Sequence, residues 1–234
     1  MGAILEMKMR LWFGLVALML SACGNDPGSN AYAGSGALFA SLLGKGSSAG
    51  GLTGSPNDPA VRAGLLALRD TLQKAGQRIL LVSNSSLKFT GLMAPFGGNN
   101  GVETWASTSY QTVSLRDGVM VATRGFGPDL MSSVGPGIRT IATASGTTQR
   151  RYSYLDGADQ PQTLEFTCTL AAAGRETIEV MALSYSTRKV TEACNGPAAA
   201  FTNEYWFDGI TKLRQSKQFL APGLANMMIQ RVID

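Results

Sequence analysis

Glu103, Glu165, Glu176, Glu179 and Asp208 are the carboxylates that could pair for acid–base work on a glycosidic bond. Such a pair must stand roughly 5–9.5 Å apart across a cleft. No local motif favours any two of the five, so catalysis is the minority reading and no catalytic residue is assigned. The chain of 234 residues has no histidine. That removes Ser-His-Asp and Cys-His nucleophilic sites, His-ligated zinc and the usual base near neutral pH. No metal set and no cofactor is implied. Binding chemistry is better represented. Trp105, Tyr205 and Trp206 offer faces on which saccharide rings stack, although aromatic residues in sheets more often fill the core. Successive strand residues point to opposite faces, so of Tyr205 and Trp206 one should lie in the core and the other nearer solvent. Asp129 follows Gly125-Phe126-Gly127-Pro128 and reads as a ligand or a catalytic acid or, more commonly, as a cap of the turn Asp129–Ser132. Arg124 suits an acidic sugar or a neighbouring surface carboxylate.

The three cysteines divide by position. Cys23 ends the run Leu20-Ser21-Ala22-Cys23, which follows twelve apolar residues, Leu11 to Ala22, behind Lys8 and Arg10. A basic start, a short apolar core and small residues at the end make a secretory signal, too short to span a bilayer. The four residues resemble the lipobox of bacterial lipoproteins, in which the cysteine is lipidated and becomes the first residue after cleavage. The expectation is therefore a signal peptide over 1–22 and a lipid on Cys23; Met7 is an alternative start, because Glu6 is unusual in a basic leader. Cys168 and Cys194 remain, an even pair in an oxidising compartment, which suggests a disulfide. If 161–172, 176–186 and 188–195 form a plain meander, the two cysteines flank a middle strand at roughly 9.5 Å, too far for a disulfide. Either Cys194 lies beyond its strand or the pairing is not a plain meander; two separate thiols are the alternative.

Without the leader, 18 basic and 15 acidic residues leave a net charge of +3, scattered along the chain. No dense basic run invites nucleic acid. Residues 23–55 are rich in Gly and Ser and read as a tether. Its apolar insert, Ala37–Leu43, suits docking on the body or lying on the membrane. A helix is predicted over 58–76, capped by Asn57 or Asp58, with Val61, Leu65, Leu68, Leu72 and Ala75 on one face and Gly76 as its stop. From Arg78 the period changes to two. Strands are predicted at Ile79–Val82, Val102–Ser107, Tyr110–Leu115, Val119–Arg124, Ile138–Ala144, Arg151–Leu155, Gln162–Leu170, Thr177–Tyr185, Lys189–Ala193, Phe201–Phe207, Ile210–Phe219 and Met227–Val232. Asp117-Gly118 is a hairpin signal. Residues 56–234 thus read as a single, mainly β domain: an antiparallel β sandwich or barrel-like sheet with one N-terminal helix.

Two stretches go beyond a generic β pattern: Glu103-Thr104-Trp105-Ala106-Ser107 with Val119 through Leu130, and Asn203-Glu204-Tyr205-Trp206-Phe207-Asp208 with Ile210, Ser216-Lys217-Gln218 and Pro222. In order and spacing they resemble the YjbF/GfcB family of lipoproteins, associated with group 4 capsule and exopolysaccharide production. The resemblance implies a largely β periplasmic domain tethered to the outer membrane, with a role in polysaccharide secretion and no established enzymatic activity. Gly24, rather than Asp, follows Cys23, which by analogy with enteric bacteria sorts the protein to the outer membrane. Gln218 joins Trp105, Arg124, Asp129, Tyr205 and Trp206 as a candidate contact for glycan or partner. The expected role is that of a lipid-anchored accessory protein binding export machinery or polysaccharide. A periplasmic carbohydrate-active enzyme and a structural outer-membrane lipoprotein are the alternatives.

Overall fold

The computed structural model describes residues 59–234. The signal peptide, Cys23, the tether with its apolar insert, and the expected caps Asn57 and Asp58 lie outside the described residues. Among the described residues no helix is long and apolar enough to cross a membrane.

Helix α1 (Pro59–Lys74) opens the described chain. Its close is the one the sequence signals. Gly76 takes φ +66°, the Gly76 N–H donates to the Gln73 carbonyl and the Gln77 N–H to that of Leu72, which together form a Schellman stop. Leu72 is fully buried, and Leu65 and Leu68 pack half-buried beside it; Ala75, at the end of the expected seam, is exposed.

Twelve strands follow: β1 (Ile79–Asn84), β2 (Phe89–Asn99), β3 (Val102–Ala106), β4 (Thr112–Arg116), β5 (Val119–Arg124), β6 (Ser132–Val134), β7 (Thr147–Leu155), β8 (Pro161–Val180), β9 (Leu183–Asn195), β10 (Ala200–Phe207), β11 (Leu213–Gln218) and β12 (Met227–Ile233). A short helix, α2 (Ile138–Ala142), sits between β6 and β7. The strands make one antiparallel sheet in the order β5-β4-β3-β2-β1-β12-β11-β10-β9-β8-β7-β6. Neighbours in the sheet are therefore neighbours in sequence, except where β12 returns to β1. The edges β5 and β6 approach each other: the Thr123 N–H donates to the Leu130 carbonyl, and the next amide, of Met131, donates to the Ser153 carbonyl of β7. The sheet is a nearly closed barrel.

Side chains from both halves meet inside it. Leu80, Val82, Met93, Trp105, Val113 and Leu115 of the first strands pack with Tyr152, Phe166 and Ile229 of the later ones and with Phe219, just past β11. At one end Ile138 and Ile141 of α2 close over Leu170, Val190, Tyr205 and Phe207. A third cluster lies on the outer face, where α1 covers Ile79, Ala94, Trp206 and Val232.

Three expectations need correction. Ile138–Ala144 is helical at its start, not a strand: Ile138 and Ile141 are three apart and both buried, a helical period that the β-branched composition masks. The expected strands 161–172 and 176–186 are a single strand to Val180, and the hairpin turns at Met181-Ala182, both at positive φ (44° and 66°). β8 therefore pairs directly with β9 and there is no middle strand. Cys168 is the cross-strand partner of Cys194, with Cα atoms 4.0 Å apart and the sulfurs bonded. β2 and β6 were not expected at all; Gly91, Pro95, Gly97 and Gly98 conceal the first, which is irregular at Pro95. By contrast, Asp117 and Gly118 turn β4 into β5 with φ of 51° and 87°, as predicted.

Candidate functional site

The aromatic candidates are not on the surface. Trp105 and Tyr205 are 0% exposed and Trp206 is 2% exposed. Alternation holds, since Tyr205 faces the barrel interior and Trp206 the outer face. The expectation that one of the pair lies near solvent does not hold, because α1 and the β8–β9 hairpin cover the outer face at that point. Trp206 donates its indole N–H to Glu176 at 3.0 Å, and Lys189 and Lys217 sit 4.7 and 5.7 Å from its ring. Trp105 lies under the Arg78 guanidinium at 5.0 Å.

Gln218 and Asp129 organise backbone. Gln218, buried in the interior, accepts the Met120 N–H at 2.8 Å and donates to the Gly118 carbonyl and the Ser216 hydroxyl, both at 2.9 Å. It thereby links β11 to β5, which are not sheet neighbours. Asp129 accepts the Gly125 and Phe126 amides at 2.8 and 3.1 Å and the Thr123 hydroxyl at 3.1 Å. It caps the residues before it rather than the expected turn Asp129–Ser132, and so fixes the loop that brings β5 to β6. Arg124 is exposed and donates to the Thr123 and Leu130 carbonyls of the same loop.

The five carboxylates are dispersed and engaged. Glu103 forms a two-pronged pair with Arg78 at 2.7 and 2.8 Å, which holds its pKa below the ordinary value. Glu165 meets Arg151, Glu179 meets Arg62 and Asp208 meets Arg214. Glu176 shares Lys189 with Glu204 on the outer face. Although burial works against its charge, Lys189 and Lys217 hold the Glu204 carboxyl below its usual range. A general acid needs the opposite shift.

A buried polar layer, absent from the sequence reading, divides the two interior clusters. Arg150 and Glu192, 2% and 0% exposed, are joined at 2.8 Å. Tyr205 donates its hydroxyl to Glu192 and accepts from Arg150, both at 2.9 Å. Asn203 donates to Glu192 at 2.9 Å and accepts the Phe219 N–H at 2.7 Å. Burial opposes the charge of Arg150, but Tyr205, Tyr152 and Glu192 outweigh it and raise its pKa. Burial likewise drives the Tyr205 pKa well up. The signal was present: Arg150, Glu192 and Asn203 occupy inward positions that flanking apolar residues share. Ligand atoms of Cys168, Glu192 and Cys194 lie within 4.8 Å of one another, but both sulfurs are spent in the disulfide and offer no thiolates.

An open cavity of about 860 Å³ lies at the α2 end of the barrel. Arg139 of α2 and Arg188 of β9 line it, with Ala142, Ala144, Ala172 and Ile210 as its apolar part. Ile210, on the β10–β11 turn, is 87% exposed. Sequence reasoning missed this site, because α2, β8, β9 and the β10–β11 turn meet only in the folded sheet.

The family described as "Group 4 capsule polysaccharide lipoprotein gfcB, YjbF" matches residues 65–232. The chain belongs to this family. Among solved structures, the hypothetical lipoprotein YmcC of Escherichia coli is similar in fold, with a TM-score of 0.63 at 14% identity, over 78% of this chain and 97% of that one. A Bacteroides fragilis protein with a YmcC-like fold aligns at a TM-score of 0.33 and 10% identity, over 67% of this chain and 93% of that one. No curated protein sequence matches. Within the YjbF/GfcB match, the stretches that carried the resemblance are β3, β5 with its loop, β10 and β11. Their chemistry is now physical: Asp129 fixes the loop beside the seam, Gln218 ties β11 to β5, and Tyr205 completes the buried layer.

Proposed function

We propose that this capsule-associated lipoprotein acts as a lipid-anchored accessory protein of polysaccharide secretion, held to the periplasmic face of the outer membrane through Cys23 and binding export machinery or polysaccharide. The observation that carries the reading is the family match, which spans the barrel from α1 to β12. Its physical support is a rigid body. Twelve strands close around a packed, disulfide-tied interior, which leaves recognition to the barrel ends and loops. The ion-paired state of Glu103, Glu165, Glu176, Glu179 and Asp208 also favours a binding role over cleavage by paired carboxylates.

The test is recovery of the intact lipoprotein from detergent-solubilised envelopes, beside a Cys23→Ser variant, with bound protein and sugar both analysed. Co-purification of an export component or polysaccharide is expected, together with loss of membrane association in the variant. A deletion strain with unchanged polysaccharide output would sink the proposal.

A further inference from the structure

We infer that the cavity at the α2 end binds an anionic saccharide unit, its acidic group held by Arg139 and Arg188 and its ring seated on the apolar lining. The inference deepens the polysaccharide reading above and rests on it.

Three observations converge. The first is unmatched charge. Among the described residues Arg139 has neither a hydrogen-bond nor a carboxylate partner, and Arg188 has no carboxylate partner. The carboxylate next to the cavity in sequence, Asp208, is committed to Arg214 at 2.9 Å. Glu103, Glu179 and Glu204 are likewise paired elsewhere.

The second is preorganisation. The Arg188 guanidinium lies over the Phe207 ring at 4.9 Å and spends one N–H on the Ile210 carbonyl at 3.3 Å. A guanidinium has five donors in a fixed fork, so most remain for an anion. Its cross-strand partner is Arg175, which has no partner among the described residues either. β8 reaches this register through an irregularity between Ala172 and Arg175, with Gly174 at φ +83°. Like charges placed directly opposite destabilise a sheet. An anion held by Arg188 offsets part of that repulsion, with Arg175 outside the cavity lining.

The third is shape. The cavity's volume is that of a small-ligand site, within the usual range of roughly 300–1,000 Å³. Ala142, Ala144, Ala172 and Ile210 supply aliphatic surface for the C–H face of a sugar ring.

The test titrates the intact protein with hexagalacturonate, with neutral maltohexaose and with inorganic phosphate, following amide shifts by NMR and heat by calorimetry. Hexagalacturonate is expected to bind, to weaken as salt rises and to shift Ala142, Ala144 and Ala172; maltohexaose is expected not to bind. Arg139→Gln and Arg188→Gln should each weaken binding about tenfold. Arg139 has no partner to lose, so its variant keeps the fold and isolates the charge. Phosphate binding at the same residues with equal affinity would show a bare anion site and overturn the saccharide assignment. Absence of uronate binding, wild-type affinity in both variants, or arginine-dependent capture of an acidic protein without uronate binding would also overturn it. If the site fails while deletion still abolishes polysaccharide output, the accessory role survives and this inference alone is lost.

Discussion

Glu192 is the side chain on which most of the buried chemistry converges. It accepts from Arg150, Tyr205 and Asn203 with no access to water. Taking both ions out of water costs several kcal/mol each, so the pair's net contribution is small, whereas breaking it strands a charge. Glu192→Leu is therefore expected to cost about 3–5 kcal/mol in urea unfolding. Adding Arg150→Met should recover most of that loss, and a double variant no more stable than the single one would contradict this account. The tyrosines set the alkaline limit. Burial raises the pKa values of Tyr152, Tyr154 and Tyr205 in the folded state. A group with a raised folded pKa contributes stability that is complete below its unfolded pKa, about 10 for tyrosine, and lost as pH rises toward the folded one. Lys189, raised by its hydrogen bond to Glu204, acts in the same direction. Stability should fall above pH ~10 by up to about 4 kcal/mol per pH unit from the three phenols. Tyr154→Phe should make that slope shallower by about a third; an unchanged slope would remove Tyr154 from the account.

At the scale of elements, the β8–β9 hairpin is the longest pairing in the sheet, and the disulfide fastens it between an apolar cluster and the polar layer. The cysteines stand 26 residues apart, a loop whose closure entropy is worth about 3.5 kcal/mol. Cys168→Ala with Cys194→Ala should lower the unfolding free energy by about 3 kcal/mol while circular dichroism stays that of the wild type. A loss below about 1 kcal/mol would mean that the paired strands already hold the unfolded chain together. The same hairpin marks where the sequence stops being readable. Ala171-Ala172-Ala173-Gly174 has the composition of a break, yet β8 runs through it on tertiary pairing. The real turn, Met181-Ala182, has neither Gly nor Asn at its positive-φ positions, so nothing local announces it. α1 and the Asp117-Gly118 turn were legible because period and turn chemistry are local. The cavity was not, because Arg139, Ala172, Arg188 and Ile210 come from four elements. The aromatic candidates misled for a related reason: alternation tells which face a residue takes, not whether another element covers that face.

For the whole molecule, the connectivity decides cooperativity. The strands β1–β5 and β6–β12 are two successive meanders, joined where β12 pairs with β1 and brought together again at the β5–β6 seam. Gln218 crosses the interior between them, and Leu80, Trp105, Tyr152 and Phe219 share one cluster. Neither meander keeps its interior face covered without the other, so residues 59–234 should unfold as one unit. The protein carries its own reporters. Among the described residues the tryptophans are Trp105, in the first meander, and Trp206, in the second; Trp12, outside them, is replaced by Phe in both variants. Trp206→Phe leaves a fluorophore that reports β1–β5, and Trp105→Phe one that reports β6–β12. Within each variant, tryptophan fluorescence and far-ultraviolet circular dichroism should give the same urea midpoint and the same slope. A fluorescence transition displaced from the circular dichroism transition in either variant would show that one meander survives the loss of the other, and the barrel would then be two folding units rather than one.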